Sequence, residues 1–289
     1  MKTPIRVSII IPTYNEEKDI SEAIASLLKQ SFKDFEIIIV DDGSIDNTLQ
    51  IIKNFSKKDK RVKIIPGKHK GPGFSRNLGA KKAKGKILVF VDADMTFDKD
   101  YIKNLIAPLT KNKQIIGSTH ELEMVKNTKN IWSRCWGKIR FDKESAKDAR
   151  IFRAINKNKF FDMGGFDSKY GYADDQTFWF KYGKRPFAAK KTSCYHKNPE
   201  TLKSVYKQSK WIGASIENFW LKVPIVKYLV PLVMLIFFPL AVPILGLKKS
   251  IKNKDFKLFF PWMLIFMTVR YFGTISGIFR EIYLGRNIR

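Results

Sequence analysis

Three apolar runs, each ending in acids or an aromatic and separated by stretches of helical spacing, constrain the fold of this chain most. Lys86-Ile-Leu-Val-Phe-Val-Asp-Ala-Asp94 carries five consecutive apolar residues, Ile87 to Val91. That length suits a strand buried on both faces of a parallel sheet. Val7-Ser-Ile-Ile-Ile-Pro-Thr-Tyr-Asn-Glu16 and Phe35-Glu-Ile-Ile-Ile-Val-Asp-Asp-Gly-Ser44 repeat the pattern, and Gly71 to Gly79 leads through Ala80 to Lys84 into the third run. Strand, helix, strand, helix, strand predicts a doubly wound α/β domain with a mostly parallel sheet.

Ligands of open α/β sheets bind outside the carboxyl ends of the strands. Here those ends carry Tyr14, Asp41, Asp42, Asp92 and Asp94. Asp92 and Asp94 are one residue apart, and two ionised acids held together are costly without a cation. Mg2+ or Mn2+ bridging to a diphosphate supplies that charge. A single Asp capping the next helix is the competing reading; it accounts for one acid and not both.

The motifs Pro12-Thr-Tyr-Asn-Glu16, Asp41-Asp-Gly-Ser44, Ser75-Arg-Asn-Leu-Gly79, Asp92-Ala-Asp94, Gly164-Gly-Phe-Asp167 and Asp174-Asp175 occur in that order. The series resembles the family 2 glycosyltransferases of the GT-A (Rossmann-like) fold. The resemblance implies inverting transfer of a sugar from a nucleotide-diphosphate sugar, with a divalent metal. It places Pro12, Thr13, Tyr14, Glu16, Asp41, Asp42, Arg76, Asp92 and Ala93 at the donor, Tyr14 stacking on the base and Asp41 and Asp42 accepting from base N–H groups. Asp42 reads alternatively as a turn residue before Gly43, and Arg76 as part of a solvated helix face. Asp94 is the expected metal ligand, with Asp92 sharing the metal or the ribose. His196 either completes the metal site or is a surface histidine beside Lys197.

On the acceptor side the resemblance places Gly164, Gly165 and Phe166. Inversion needs a carboxylate opposite the leaving group to take the acceptor proton. The family pattern there is Gly-Glu-Asp-x-Asp, whereas this chain has Ala173-Asp-Asp-Gln-Thr177. Asp175 aligns with the base, with Asp174 as the second choice. Both are explained without catalysis as helix N-terminal acids.

Beyond this domain the composition changes. Tyr228 to Leu247 is twenty residues without a charge, and Leu258 to Phe279 is interrupted only by Arg270. Each is long enough to cross a hydrocarbon core of about 30 Å. Between them and the catalytic part, Leu202, Val205, Tyr206, Ser209, Ile212, Ile216, Phe219 and Trp220 recur at helical steps among lysines. That pattern fits an amphipathic helix on a membrane surface, or one packed on the catalytic domain. The expected organisation is a catalytic domain over 1–198 (donor half 1–118, acceptor half 119–198), an interfacial helix over 199–222, and membrane segments at 228–247 and 258–279 within 223–289. A hairpin with the catalytic domain and C-terminus on the cytoplasmic side of the cell membrane is expected. The five lysines between Lys248 and Lys257 oppose it, and Pro231, Pro239 and Pro243 make the first segment a poor straight helix. A re-entrant hairpin is therefore the alternative. Arg270 is expected at a bend of the second segment, where it meets an acceptor or lipid phosphate.

The net charge of +27, from 54 basic and 27 acidic residues, raises nucleic acid as a partner. The lysines are dispersed and no nucleic-acid motif accompanies them, so anionic lipid and a diphosphate substrate are the expected partners. Where many polysaccharide synthases resembling this family carry Gln-x-x-Arg-Trp, this chain has Lys207-Gln-Ser-Lys-Trp211. That departure points to addition of a single sugar. The expected acceptor is a lipid-linked glycan; the alternatives are a polyprenyl-phosphate acceptor, and a non-catalytic nucleotide-binding scaffold.

Overall fold

The computed structural model describes residues 6–220, 224–255 and 259–284. Parts of the expected interfacial helix (221–222), second membrane segment (258) and basic loop (256–257) lie outside the described residues. The chain divides into two compact units. One comprises 1–124, 139–168 and 174–196; the other comprises 125–138, 169–173 and 197–289. Residues 125–138 and 169–173, which sequence places in the acceptor half, thus group with the C-terminal helices.

In the first unit the chain runs β1 (Val7–Thr13), α1 (Ile20–Leu28), β2 (Phe35–Asp41), α2 (Thr48–Lys58), β3 (Val62–Pro66), α3 (Pro72–Lys82), β4 (Ile87–Phe90), β5 (Met95–Phe97) and α4 (Tyr101–Lys111). It continues through β6 (Gly117–Val125) and, after α5 (Ile131–Trp136) of the second unit, β7 (Ile139–Phe141), α6 (Lys143–Lys147), β8 (Ala154–Asn156) and α7 (Lys157–Asp162). A 310 segment (Ser168–Gln176), α8 (Thr177–Tyr182) and β9 (Phe187–His196) close it. The strands form one sheet in the order β3-β2-β1-β4-β8-β6-β9-β5, with β7 on β6. β3, β2, β1 and β4 pair in parallel, whereas β4–β8, β6–β8, β6–β7 and β5–β9 are antiparallel. The parallel part is the part legible in the three apolar runs.

Those runs are apolar throughout because both faces are covered. Ile9, Ile11, Ile37, Ile39 and Val89 pack with α1 and α4 residues on one side. Ile10, Ile38, Val40, Leu88 and Phe90 pack with Ala80, Phe160, Phe166 and Phe178 on the other. Alternation along each strand delivers successive residues to opposite layers. Parallel register aligns Thr13 with Asp41, so the ends of β1 and β2 open at one level.

The second unit contains α5, α9 (Leu202–Trp220), α10 (Pro224–Lys252), a π-helical turn (Phe259–Met263) and α11 (Leu264–Leu284). α10 is one helix of 29 residues that contains Pro231, Pro239 and Pro243, the prolines that sequence reads against a straight helix. α11 runs without a break through Arg270 and Tyr271. The expected bend there is absent, and the non-helical backbone falls instead at Phe260 (φ −125°, ψ 133°). α9 packs on α11 within this unit. Glycines permit their backbones to touch: a Cβ on Gly277 would lie 2.0 Å from the Lys210 carbonyl oxygen, and one on Gly213 2.2 Å from that of Thr274. Small residues at helix crossings allow this approach. Gly273 sits beside Tyr206 to Lys210 and Gly277 beside Lys210 to Ala214, so the two helices run parallel.

Candidate functional site

Where β1 and β2 end, Tyr14 is 40% exposed and its ring lies 4.0 Å from that of His69. Thr13 is buried and its hydroxyl turns back to the Ile11 carbonyl at 3.5 Å, so Tyr14 is the aromatic face a base could meet. Pro12 is half-buried in β1 and Ala93 is buried just past β4. Asp41 is buried; its Oδ2 accepts from the Ser44 N–H at 3.3 Å, while Oδ1 has no hydrogen-bond partner among the described residues. A buried acceptor left open is costly unless a ligand donor fills it. Asp42 is differently employed. Its two oxygens accept from the backbone N–H groups of Lys70 (2.8 Å) and Gly71 (2.6 Å), which anchors the turn into α3. The geometry supports the turn reading of Asp42 over base recognition.

β5 pairs with the end of β9 so that Met95 faces His196. This register brings Asp94 to His196: Oδ2 and Nε2 are 3.0 Å apart. The far ring nitrogen, Nδ1, is 2.7 Å from Glu123 Oε1, and Arg140 holds the same oxygen at 3.2 Å. His196 is buried, not a surface residue. Burial opposes its charge, but Asp94 and Glu123 outweigh that and raise its pKa to about 9. Glu16 is pushed up to about 8 by burial and then by the charges of Asp94, Asp19 and Asp92.

This donor set fits a divalent cation. A carboxylate oxygen and an imidazole nitrogen at 3.0 Å match the separation of about 3 Å for neighbouring ligands at 2.0–2.1 Å from one ion. The carboxylate on the far nitrogen would fix the ring orientation, as is usual for metal-binding histidines. Glu16 interacts electrostatically with Asp94, though burial is the larger cause of its raised pKa. A second group, His120, Glu123 and Cys194, has its ligand atoms within 4.8 Å of one another and is buried. Its atoms already serve one another: His120 Nε2 is 3.0 Å from Glu123, and His120 Nδ1 is 3.2 Å from the Tyr101 hydroxyl and 3.4 Å from Cys194 Sγ. Burial keeps the Cys194 thiol well above its usual pKa, which disfavours the thiolate that a metal requires.

Arg76 occupies the centre of the site. It is buried, and donates through NH2 to Asp92 Oδ1 and through NH1 to Asp174 Oδ1, both at 2.7 Å. Arg153 donates to the other Asp92 oxygen at 3.1 Å and lies 3.8 Å from Glu123. Burial alone would raise Asp92, but Arg153 and Arg76 hold it well below the carboxylate range. Both Asp92 oxygens are therefore committed to guanidinium groups, and Asp94 is the acid of the pair that faces His196. Arg76 corrects the reading of a solvated helix face. It is buried rather than solvated, paired with the buried Asp174 and the half-buried Asp92.

Asp174 is 1% exposed and bound to Arg76, so the second choice for the base is a buried ion pair. Asp175 is only partly buried. Burial and then the neighbouring Asp174 raise its pKa to about 7, against the opposing pull of Arg76 and Arg153. A carboxylate so placed can take a proton near neutral pH.

The Gly-Gly-Phe-Asp motif has another role. Phe166 is buried against Phe90, Phe160 and Phe178, and the Asn77 side chain brackets its backbone at 2.9 and 2.7 Å. Gly164 and Gly165 turn the chain at φ +78° and +69°, a conformation glycine adopts freely. Phe166 is thus a core residue and not an acceptor contact. In the second unit Arg270 lies 4.4 Å over the Trp136 ring, and its Nε is buried with no hydrogen-bond partner among the described residues. Trp132 meets Trp262 and Trp136 meets Phe266, both edge-on, so both tryptophans are packed within this unit. Glu123 and Arg153 were not found by sequence reasoning. Arg153 had a signal, a charge inside Ile151-Phe-Arg-Ala-Ile155, since a charge in a buried strand needs partners. Glu123 had none.

Residues 8–168 match the family model described as Glycosyl transferase family 2. An uncharacterized glycosyltransferase of Rickettsia felis is 41% identical over 128 residues, covering 44% of this chain and 21% of that relative. The chain thus spans about a fifth of that relative's length. Among solved structures, the mannosyltransferase PcManGT from Pyrobaculum calidifontis, in complex with GDP-Man and Mn2+, is similar with TM-score 0.59 at 17% identity, over 94% of this chain and 88% of that one. Staphylococcus aureus TarS 1-349 in complex with UDP-GlcNAc is similar with TM-score 0.52 at 21% identity, over 98% and 93%. At these identities the two structures establish the fold, a GT-A-like α/β domain.

Proposed function

Because the chain belongs to glycosyltransferase family 2, we propose that it transfers a sugar, with inversion, from a nucleotide-diphosphate sugar to a hydroxyl of a lipid-linked glycan at a membrane. The observation that carries this reading is the division of labour at Asp174-Asp175, where one acid is sealed against Arg76 and the other is half-open with a pKa near 7. The acceptor hydroxyl gives its proton to Asp175 as its oxygen attacks the anomeric carbon. The bond from that carbon to the diphosphate oxygen breaks, and the nucleoside diphosphate leaves. Tyr14 and the open Oδ1 of Asp41 bind the base, and the nucleotide sugars in TarS and PcManGT support a donor of that class.

Asp94 and His196 would hold a divalent cation. When bound, the ion offsets diphosphate charge and stabilises the leaving group. An imidazole among the donors favours Mn2+ over Mg2+, which takes oxygen ligands. Glu123 orients His196, and Arg76 and Arg153 hold Asp92 in place.

A phosphate acceptor is the second reading. The observation that favours it is the Arg270 Nε, a buried donor awaiting an acceptor atom. The deciding experiment is donor hydrolysis over a panel of nucleotide sugars, followed by transfer with Asp175→Asn. A large loss of transfer supports a hydroxyl acceptor. Near-normal turnover indicates an acceptor that is already ionised and needs no base.

A further inference from the structure

We propose that the second unit lies in the plane of the membrane, with the free face of α10 sunk into one leaflet of an anionic bilayer, and that neither α10 nor α11 crosses it. This deepens the reading above and rests on its placing the enzyme at a membrane.

By length and composition both helices could span: 229–252 and 260–283 are each 24 residues long and strongly apolar. Their partners forbid it. α9 lies along α11 in backbone contact from Tyr206 to Ala214. Hydrocarbon around the middle of α11 would therefore surround Lys207 and Lys210 as well, and Lys203 and Lys207 are exposed on α9. Lysines at mid-bilayer are costly and are rare in spanning helices.

The end of α10 gives a second, independent argument. A spanning hairpin would carry the turn after α10 to the far side. Here the Asn253 amide donates to the carbonyls of Arg134 (3.3 Å) and Cys135 (3.4 Å). Asp255 accepts from Arg134 at 2.7 Å, with Lys138 at 3.5 Å. The start of α9 is tied to the same segment, since the Asn130 amide donates to the Glu200 carbonyl at 3.0 Å. The turn after α10 and the start of α9 therefore lie at the same end of this unit. α9 leads away from it, α10 returns antiparallel against α11 (Tyr271 hydroxyl to Met234 carbonyl, 2.8 Å), and α11 leads away again. Crossing would require polar α9 as the first leg.

What remains is an amphipathic layer. Leu232, Ile236, Phe237, Leu240 and Ile244 of α10 are exposed, Ile236 at 73%. Lys248, Lys249, Lys252 and Lys254 gather at its end. An apolar helix face rimmed with lysines seats at the boundary between headgroups and acyl chains, and anionic lipid is the complementary partner.

The test uses the full chain added to preformed vesicles of phosphatidylcholine with or without phosphatidylglycerol. Single cysteines replace Ile236, Lys207 and Tyr283. A fluorophore on Ile236→Cys should be quenched by brominated lipid, and one on Lys207→Cys should not. Tyr283→Cys should react with a membrane-impermeant maleimide in intact vesicles as fully as in detergent. Lys248→Gln and Lys252→Gln should each weaken binding to phosphatidylglycerol vesicles about fivefold. Tyr283→Cys protected until the vesicles are lysed would establish a crossing and overturn the proposal. Absence of vesicle binding, with the Ile236 label shielded only as protein concentration rises, would assign the face to a second copy and also overturn it. UDP- and Mn2+-dependent thermal stabilisation, measured on the same samples, tests the donor site separately, so failure of one reading leaves the other standing.

Discussion

Two acid pairs face each other across the site, and they are built alike. Asp92-Ala-Asp94 follows β4, and Asp174-Asp175 closes the 310 segment. In each, the first acid is held by Arg76, through NH2 for Asp92 and NH1 for Asp174. In each, the second acid faces other groups: Asp94 meets His196, and Asp175, only partly buried, has a pKa near 7. A pair of neighbouring carboxylates therefore does not act as a pair. One member is neutralised to hold the backbone, which fixes the position from which its neighbour can do chemistry.

This comparison predicts that the second acids carry activity and the first acids carry stability. The largest effect is expected for Asp94→Ala: transfer falls to background, Mn2+ no longer strengthens UDP binding in calorimetry, and the melting temperature stays near wild type. An active Asp94→Ala protein would break the likeness at its donor end. Asp175→Asn should lose on the order of 10²–10⁴-fold in kcat, the usual worth of a general base, with donor affinity kept. The sign of its pH dependence follows from the raised pKa. The base is competent only when ionised, so kcat/KM should fall as pH drops through about 7, and the variant should lack that limb.

Arg76→Met tests the shared half of the comparison. It leaves Asp174 without its cation and Asp92 with Arg153 alone, and breaking a buried pair costs about 3–5 kcal/mol. Thermal unfolding should move down by about 10 °C, a loss that neither second-acid variant shows. The smallest effect is expected for Glu123→Gln, which keeps a hydrogen bond to His196 but not its charge. Removing such a supporting carboxylate typically lowers metal affinity about 10–100-fold, measurable by Mn2+ titration followed by electron paramagnetic resonance. Unchanged affinity would show that His196 is oriented by its packing alone.

The parallel half of the sheet and the acids at its strand ends were legible because buried parallel strands are apolar without interruption and their ends are few. What each acid does was not. Asp41 and Asp42 are equivalent in sequence, yet one keeps an open oxygen and the other anchors Lys70 and Gly71. Such differences are set by residues far along the chain: Arg76 meets Asp174 across 98 positions, and His196 meets Glu123 across 73. No local pattern encodes those meetings. How the C-terminal helices lie against one another was not legible for a related reason. Hydropathy reports one helix at a time, and the lysines that bear on α11 are on α9.

Arg76 also bears on how this sequence can change over time. A guanidinium shared by Asp92 and Asp174 makes three distant positions one heritable unit: losing either acid leaves Arg76 overcharged, and losing Arg76 strands Asp174 and leaves Asp92 to Arg153 alone. Substitutions there should be strongly epistatic, with Asp92→Asn and Asp174→Asn together falling short of the sum of their separate costs. A lineage could replace the triad as a set far more easily than one member at a time, and the two halves of the site would then have to drift together.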